Sequence, residues 1–133
     1  MIRHRLDLIL LGARFAVCRL DAADPIPPWA VRGDFCSITR TADELSVVCP
    51  EAAVPDGVQA ERGWRVLRVV GTLDFTLVGI LTSLTGPLAQ AGISLCAIST
   101  FGTDYLLLRE PDLGRATEAL VAAGHAVSGR ESG

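Results

Sequence analysis

From Phe75 to Thr103 the chain contains no charged residue. An unbroken apolar run of that extent would read as a membrane-spanning helix, which needs about 20 predominantly apolar residues. Thr76, Thr82, Ser83, Thr85, Gly86, Pro87, Gln90, Gly92 and Ser94 interrupt it, so it divides into a buried helix followed by a buried strand. Thr76 can cap a helix over residues 77–91, with Ile80, Leu84, Leu88 and Ala91 on one face and Gly92 as its stop. Pro87 is predicted to kink its last turns. Ahead of it, residues 64–70 are β-branched and aromatic enough for a strand. Behind it, residues 94–99 and 103–108 read as strands joined by Thr100-Phe-Gly-Thr. Asp112 can cap a second helix that runs through Ala123 to Gly124, and residues 125–128 make a last strand. The order is βαββαβ, an α+β arrangement with two helices on one face of an antiparallel sheet. The right-handed crossover rule makes the first strand and residues 94–99 parallel, with the strand from Thr103 between them.

The first half is less regular. Residues 6–11 and 14–20 are apolar runs on either side of Gly12-Ala13 and predict a hairpin. Three prolines within residues 25–28 allow at most one helical turn. Residues 35–40 and 45–49 then read as strands around Thr41-Ala-Asp-Glu44, and residues 50–63, with Pro55, Gly57 and Gly63, as a connector between halves. An echo runs through the chain at an offset of 60: Cys36 and Ile38 recur as Cys96 and Ile98, Thr39 faces Ser99, and Glu44 faces Asp104. Residues 1–62 are therefore expected to form a degenerate copy of residues 63–133, one that has lost most of its first helix.

Composition removes several function classes. The chain has 12 basic and 15 acidic residues and a net charge of −3, spread evenly along it. It lacks the concentrated basic patch of a nucleic-acid binder or a membrane-surface helix. All its basic residues are arginine, so Schiff-base chemistry and Walker A phosphate binding have no lysine to use. Cys18, Cys36, Cys49 and Cys96 form no CxxC pair and the histidines, His4 and His125, lie near opposite ends; no metal or other cofactor is expected. Each cysteine lies in an apolar run and is expected to be a small buried hydrophobe, with Cys96 in mid-strand. No nucleophile elbow or phosphate loop appears, and no catalysis is expected. The charged start Met1-Ile-Arg-His-Arg is unlike a signal peptide, which makes the cytoplasm the expected location.

In the βαββαβ arrangement, the end of the first strand, the start of the first helix and the loop 100–104 reach one edge of the sheet. The helix N-terminus favours a negative group there, while Asp74 and Asp104 favour a positive one. A zwitterion such as a free amino acid suits that pairing. The same residues also fit a plainer reading, in which Asp74 caps the helix and Asp104 closes a hairpin.

Residues 71–110 carry Gly-Ile-Leu (79–81), Pro-Leu-Ala (87–89), Ala-Gly-Ile (91–93) and Ile-Ser-Thr-Phe-x-x-Asp (98–104). This stretch resembles an ACT domain. More narrowly it is similar to small bacterial double-ACT proteins, which are related to aspartate kinase regulatory domains and to arginine-sensing double-ACT proteins of animals. Residues 35–51 resemble the same group. The resemblance implies tandem ferredoxin-like ACT units and amino-acid binding at an interface between units. Carried over position by position, Leu73, Asp74, Phe75, Gly79 and Ile80 would form one side of the pocket, and Ser99, Thr100, Phe101, Thr103 and Asp104 the other. The expectation is a stand-alone regulatory protein, homodimeric, that binds a small amino acid. The competing expectation is an interaction or oligomerisation module whose sheet edges pair with itself or with another protein and which takes no metabolite.

Overall fold

A computed structural model describes residues 5–70 and 79–131. In chain order the elements are β1 (Asp7–Leu11), β2 (Phe15–Leu20), β3 (Ser37–Arg40), β4 (Leu45–Pro50), β5 (Gln59–Val69), α1 (Ile80–Gln90), β6 (Leu95–Ser99), β7 (Asp104–Arg109), α2 (Leu113–Ala122) and β8 (Ala126–Glu131). Short 3-10 turns occupy Pro28–Val31, Glu51–Ala53 and Glu110–Asp112. They fold into two compact units, residues 13–64 and residues 5–12 with 65–70 and 79–131.

In the second of these units the C-terminal half of β5 has β1 and β7 as neighbours, with β8 beyond β1 and β6 beyond β7. β1 runs antiparallel to β5, setting Leu8 against Val69 and Leu10 against Leu67. One face of this sheet carries Leu8, Leu67, Val69, Leu106 and Leu108, and α1 and α2 cover it with Leu84, Leu88, Ala116 and Leu120; all nine are fully buried. Each leucine so buried stabilises the fold by about 1.5–3 kcal/mol. Ile80, Leu84 and Leu88 recur every fourth residue and so share the inward face of α1. Both helices stop alike. Gly92 and Gly124 take φ of +74° and +100°, and the next amides, of Ile93 and His125, donate back to the carbonyls of Leu88 and Leu120 at 3.0 Å each.

The unit of residues 13–64 is an antiparallel sheet in the order β3-β4-β2-β5, using the N-terminal part of β5. Ala16, Cys18, Leu45, Val47 and Cys49 line its core face, together with Ala30 and Val54. Where the other unit has helices, this one has the 3-10 turns at Pro28–Val31 and Glu51–Ala53. The fold is thus α+β, tandem ferredoxin-like, with the first unit degenerate.

The structural repeat has a register one residue off the sequence echo. β4 and β7 share the same burial pattern, and each is followed at once by a 3-10 turn. The turn before each strand is closed identically: Thr41 N–H donates to Glu44 O at 2.9 Å, and Thr100 N–H to Thr103 O at 2.8 Å. The offset between these elements is 59, so Glu44 corresponds to Thr103 and Leu45 to Asp104. The offset-60 matches are of residue type only.

Other expectations need revision. β1 and β2 do not pair as a hairpin; β1 pairs with β5 and β8, and β2 with β4 and β5. Residues 50–63 are no loose connector, since Glu51–Ala53 is a 3-10 turn and β5 begins at Gln59. The change of unit falls inside β5, at Trp64 and Arg65, next to Gly63, whose φ of +81° accompanies a bulge against β2. Residues 5–12 belong with the later unit because β1 is built between β5 and β8. Asp112 precedes α2 but makes no side-chain cap bond; its carboxylate meets Arg115 at 3.4 Å. Cys96 is exposed, on a strand that among the described residues is paired on one side, by β7. The cap expected at Thr76 lies outside the described residues.

Candidate functional site

Five of the expected site residues come together on the β6–β7 turn. Ser99 ends β6 opposite Asp104, the first residue of β7, and its Oγ donates to Asp104 Oδ1 at 2.5 Å. Asp104 is buried, with 8% exposure, so the hydroxyl offsets part of what the carboxylate loses in leaving water. Thr100 Oγ1 donates to Thr103 O at 3.1 Å and accepts from Thr103 N–H at 3.3 Å, which closes the turn from both sides. Thr103, also buried, donates its own hydroxyl to Val69 O at 2.8 Å. Val69 is the last residue of β5, so this bond ties the turn to the strand that leads into residues 71–78. Phe101, at the tip, is 84% exposed.

Gly79 and Ile80 begin α1. Gly79 sits at the N-cap with φ +87°, a conformation that disfavours side-chain-bearing residues, and no side chain caps the helix there. The first-turn amides of α1 therefore lack a side-chain acceptor among the described residues. Leu73, Asp74 and Phe75 lie outside the described residues. The described part of the site pairs a buried, hydroxyl-braced carboxylate with an exposed aromatic ring at the edge where β5 ends.

A further constellation escaped the reading from sequence. His125 is 4% exposed; its Nδ1 accepts from Leu6 N–H at 3.1 Å, so the proton sits on Nε2, which donates to Ser83 O at 2.8 Å. In a helix the Ser83 carbonyl would accept from residue 87, and Pro87 has no N–H to give. His125 supplies the donor that the proline removes. The signal was in the chain, as a proline inside a helix and a histidine without an evident role, but no spacing rule joins residues 42 apart.

Two thiols of the other unit, Cys18 and Cys49, are buried. Burial pushes the Cys49 thiol up to about 12, with the neighbouring Cys18 adding to the rise. Burial likewise raises Cys18, and a hydrogen bond with Cys49 and the Arg62 charge lower it only in part.

The ACT domain profile matches residues 59–122, and a profile describing an N-terminal domain matches residues 13–57. A crystal structure of a protein from Agobacterium tumefaciens is 38% identical, covers 97% of this chain and 96% of its own, and superposes with a TM-score of 0.91. The ligand-free regulatory subunit of aspartate kinase from Thermus thermophilus superposes with a TM-score of 0.58 at 11% identity, over 84% of this chain and 93% of that one, a likeness of fold alone. The human cytosolic arginine sensor for mTORC1 subunit 1 is 43% identical over 58 residues, which is 43% of this chain and 18% of the sensor. The chain thus spans less than one-fifth of that relative's length. The profile match together with the end-to-end similarity to the Agobacterium protein places the chain in the ACT domain family.

Proposed function

We propose that this ACT protein is a regulatory module, without catalysis of its own, that binds a small amino acid at the edge formed by Leu73, Asp74, Phe75, Gly79 and Ile80 on one side and Ser99, Thr100, Phe101, Thr103 and Asp104 on the other. The observation that carries the reading is the Thr103 bond to Val69 O, which fixes the turn bearing Asp104 beside the end of β5. Asp104 offers a carboxylate in a sheltered position to an α-ammonium group, and the uncapped amides of α1 offer donors to an α-carboxylate. The arginine sensor among the similar proteins supports amino acids as the ligand class.

Thermal unfolding in the presence of each of the twenty amino acids tests this. A ligand that binds only the folded state at 100 times its dissociation constant adds about 2.7 kcal/mol. One or two selective rises in midpoint, lost in Asp104→Ala, are expected. A flat screen, or a rise that persists in Asp104→Ala, overturns the assignment.

A second reading, assembly without a metabolite, has its own observation. Among the described residues β6 is paired only by β7, and it exposes Cys96, Ala97 and Ser99. Such an edge can take a strand of a second copy and so form a homodimer. Sedimentation of the wild type and of an Ala97→Pro variant separates the readings. Dissociation by proline places the interface at β6, and an unchanged mass removes it.

A further inference from the structure

Among its described residues the edge around Asp104 carries a single formal charge, that of Asp104 itself. Strand alternation keeps other charges off this side of the sheet. Asp104 shares its face of β7 with Leu106 and Leu108, which meet the helices, and on β5 that face carries Leu67 and Val69. Arg68 stands between those two and so belongs to the opposite face, in register with Ile9; Asp7 alternates in the same way with Leu8. Arg65 is held at the far end of the sheet by Leu11 O and Glu110. α1 has no charged residue along its whole length. α2 returns toward the Asp104 end, where Ala126 lies opposite Asp7, and its last four residues, Ala119 to Ala122, are apolar.

The charges of a bound amino acid can be assigned against that inventory. Asp104 Oδ1 accepts the Ser99 hydroxyl, and the carboxylate has no ion pair among the described residues. Its one negative charge is matched by the ligand's ammonium group, and the ligand's carboxylate goes to the first-turn amides of α1. A further charge on the ligand's side chain then has no counter-charge among the described residues, and an unpaired charge taken out of water is costly. Asp74, the second acid of this edge, lies outside the described residues, and a cationic side chain would need it. The large apolar side chains exposed in this unit among the described residues are Val70, Leu81, Phe101 and Val121. All four belong to segments that reach the same end of the sheet: the end of β5, the first turn of α1, the β6–β7 turn and the last turn of α2.

Resting on the function proposed above, we infer that the amino acid bound at this edge has an uncharged, apolar side chain. Asp104 takes its ammonium group, and Phe101 and Leu81 flank the side chain. An apolar side chain covers surface that these residues leave open to water and gains from it. An acidic side chain meets Asp104 with no arginine on this face to offset it.

The experiment is a ¹⁵N–¹H chemical-shift titration of the full chain with two pairs of ligands that differ in side-chain charge. L-norleucine is set against L-lysine, which adds a terminal ammonium to the same carbon chain, and L-leucine against L-aspartate, which has a carboxylate in place of the two methyl groups. Saturable shifts at the amides of residues 79–81 and 99–104 are expected with norleucine and leucine, and at least tenfold weaker binding with lysine and aspartate. Phe101→Ala should weaken norleucine at least fivefold, and Phe101→Glu should cut the preference for norleucine over lysine to less than threefold. Amide peaks of residues 13–64 that stay in place report an intact fold in both variants. Lysine or aspartate binding as tightly as its uncharged counterpart, with the binding lost in Asp104→Ala, overturns the side-chain assignment while supporting the function proposed above. Absence of shifts with both norleucine and leucine also overturns it. The function itself fails only when all twenty amino acids leave these amides in place.

Discussion

The contact between His125 and Ser83 predicts a dependence that a double-mutant cycle can read. His125→Ala leaves two part-buried groups without partners, the Leu6 N–H and the Ser83 carbonyl. A fully buried unsatisfied group costs about 1–3 kcal/mol, so with both groups part-buried the variant should lose about 2–3 kcal/mol, a fair share of the roughly 5–15 kcal/mol typical of a folded domain. The carbonyl's part of that loss exists only because residue 87 is proline. In a Pro87→Ala background the alanine N–H bonds to Ser83 O along the helix, and the removal of His125 then orphans Leu6 alone. The cost of His125→Ala should fall by about 1–2 kcal/mol in that background. Urea unfolding of the four proteins, followed by the fluorescence of Trp29 and Trp64, gives the coupling energy. A coupling below about 0.5 kcal/mol, within the additivity of independent sites, would show that the imidazole does not replace the missing amide and would refute the reasoning.

Gly33 takes φ +85°, and a Cβ there would lie 2.6 Å from Pro50 Cγ; Gly33→Ala should therefore destabilise by about 1–3 kcal/mol, measured by the same unfolding assay, and a neutral result would mean that Pro50 moves aside freely. Thr103→Val removes the hydroxyl bond to Val69 O while keeping the shape of the side chain; a loss of about 1–2 kcal/mol is expected, with a weaker response to any amino acid that stabilises the wild type, and an unchanged response would detach the turn from ligand binding. Cys49 is pushed up to about 12 and Cys18 is also raised, so the folded state holds these protons where the unfolded chain, near its ordinary value of 9.0, releases them. Their contribution to stability is complete below pH 9 and is lost as pH climbs toward about 12. The stability difference between wild type and Cys49→Ala should be constant below that window, where it reflects lost packing, and change within it. A thiol-labelling time course at pH 8 should mark the exposed Cys96 fast and Cys18 and Cys49 only on unfolding; fast labelling of Cys49 would contradict its burial.

What the sequence made legible is the part that local chemistry controls. The recurrence of Ile80, Leu84 and Leu88 at every fourth residue and the glycines at 92 and 124 mark two helices and their ends, and the Ser99–Asp104 turn follows from two short apolar runs with polar residues between. Those signals act within a few residues, and they located the β6–β7 half of the candidate site. What stayed hidden depends on partners far apart in the chain. β1 and β2 each have the composition of a hairpin strand, yet each gains more by pairing with β5, whose eleven residues offer both of them a ladder. Cys96 has apolar neighbours in sequence, but which side of β6 stays open is decided by the order of strands, not by residues 94–99.

The repeat shows the same division between local and distant causes. Residue matches favour an offset of 60, whereas the hydrogen bonds of the turns and the burial of the following strands require 59. A one-residue slip reverses which side chains face the core, so structure preserved the register that keeps Leu45, Val47 and Cys49 inside, as Asp104, Leu106 and Leu108 are inside. In that register the buried Asp104 takes the place of a core leucine. A carboxylate at the position that the other repeat fills with Leu45 is poorly suited to packing, and the function proposed above gives it a ligand to face. Asp104→Leu should then stabilise the fold or leave it unchanged, while abolishing the response to amino acids; a strong loss of stability would return Asp104 to a purely structural part in closing the turn.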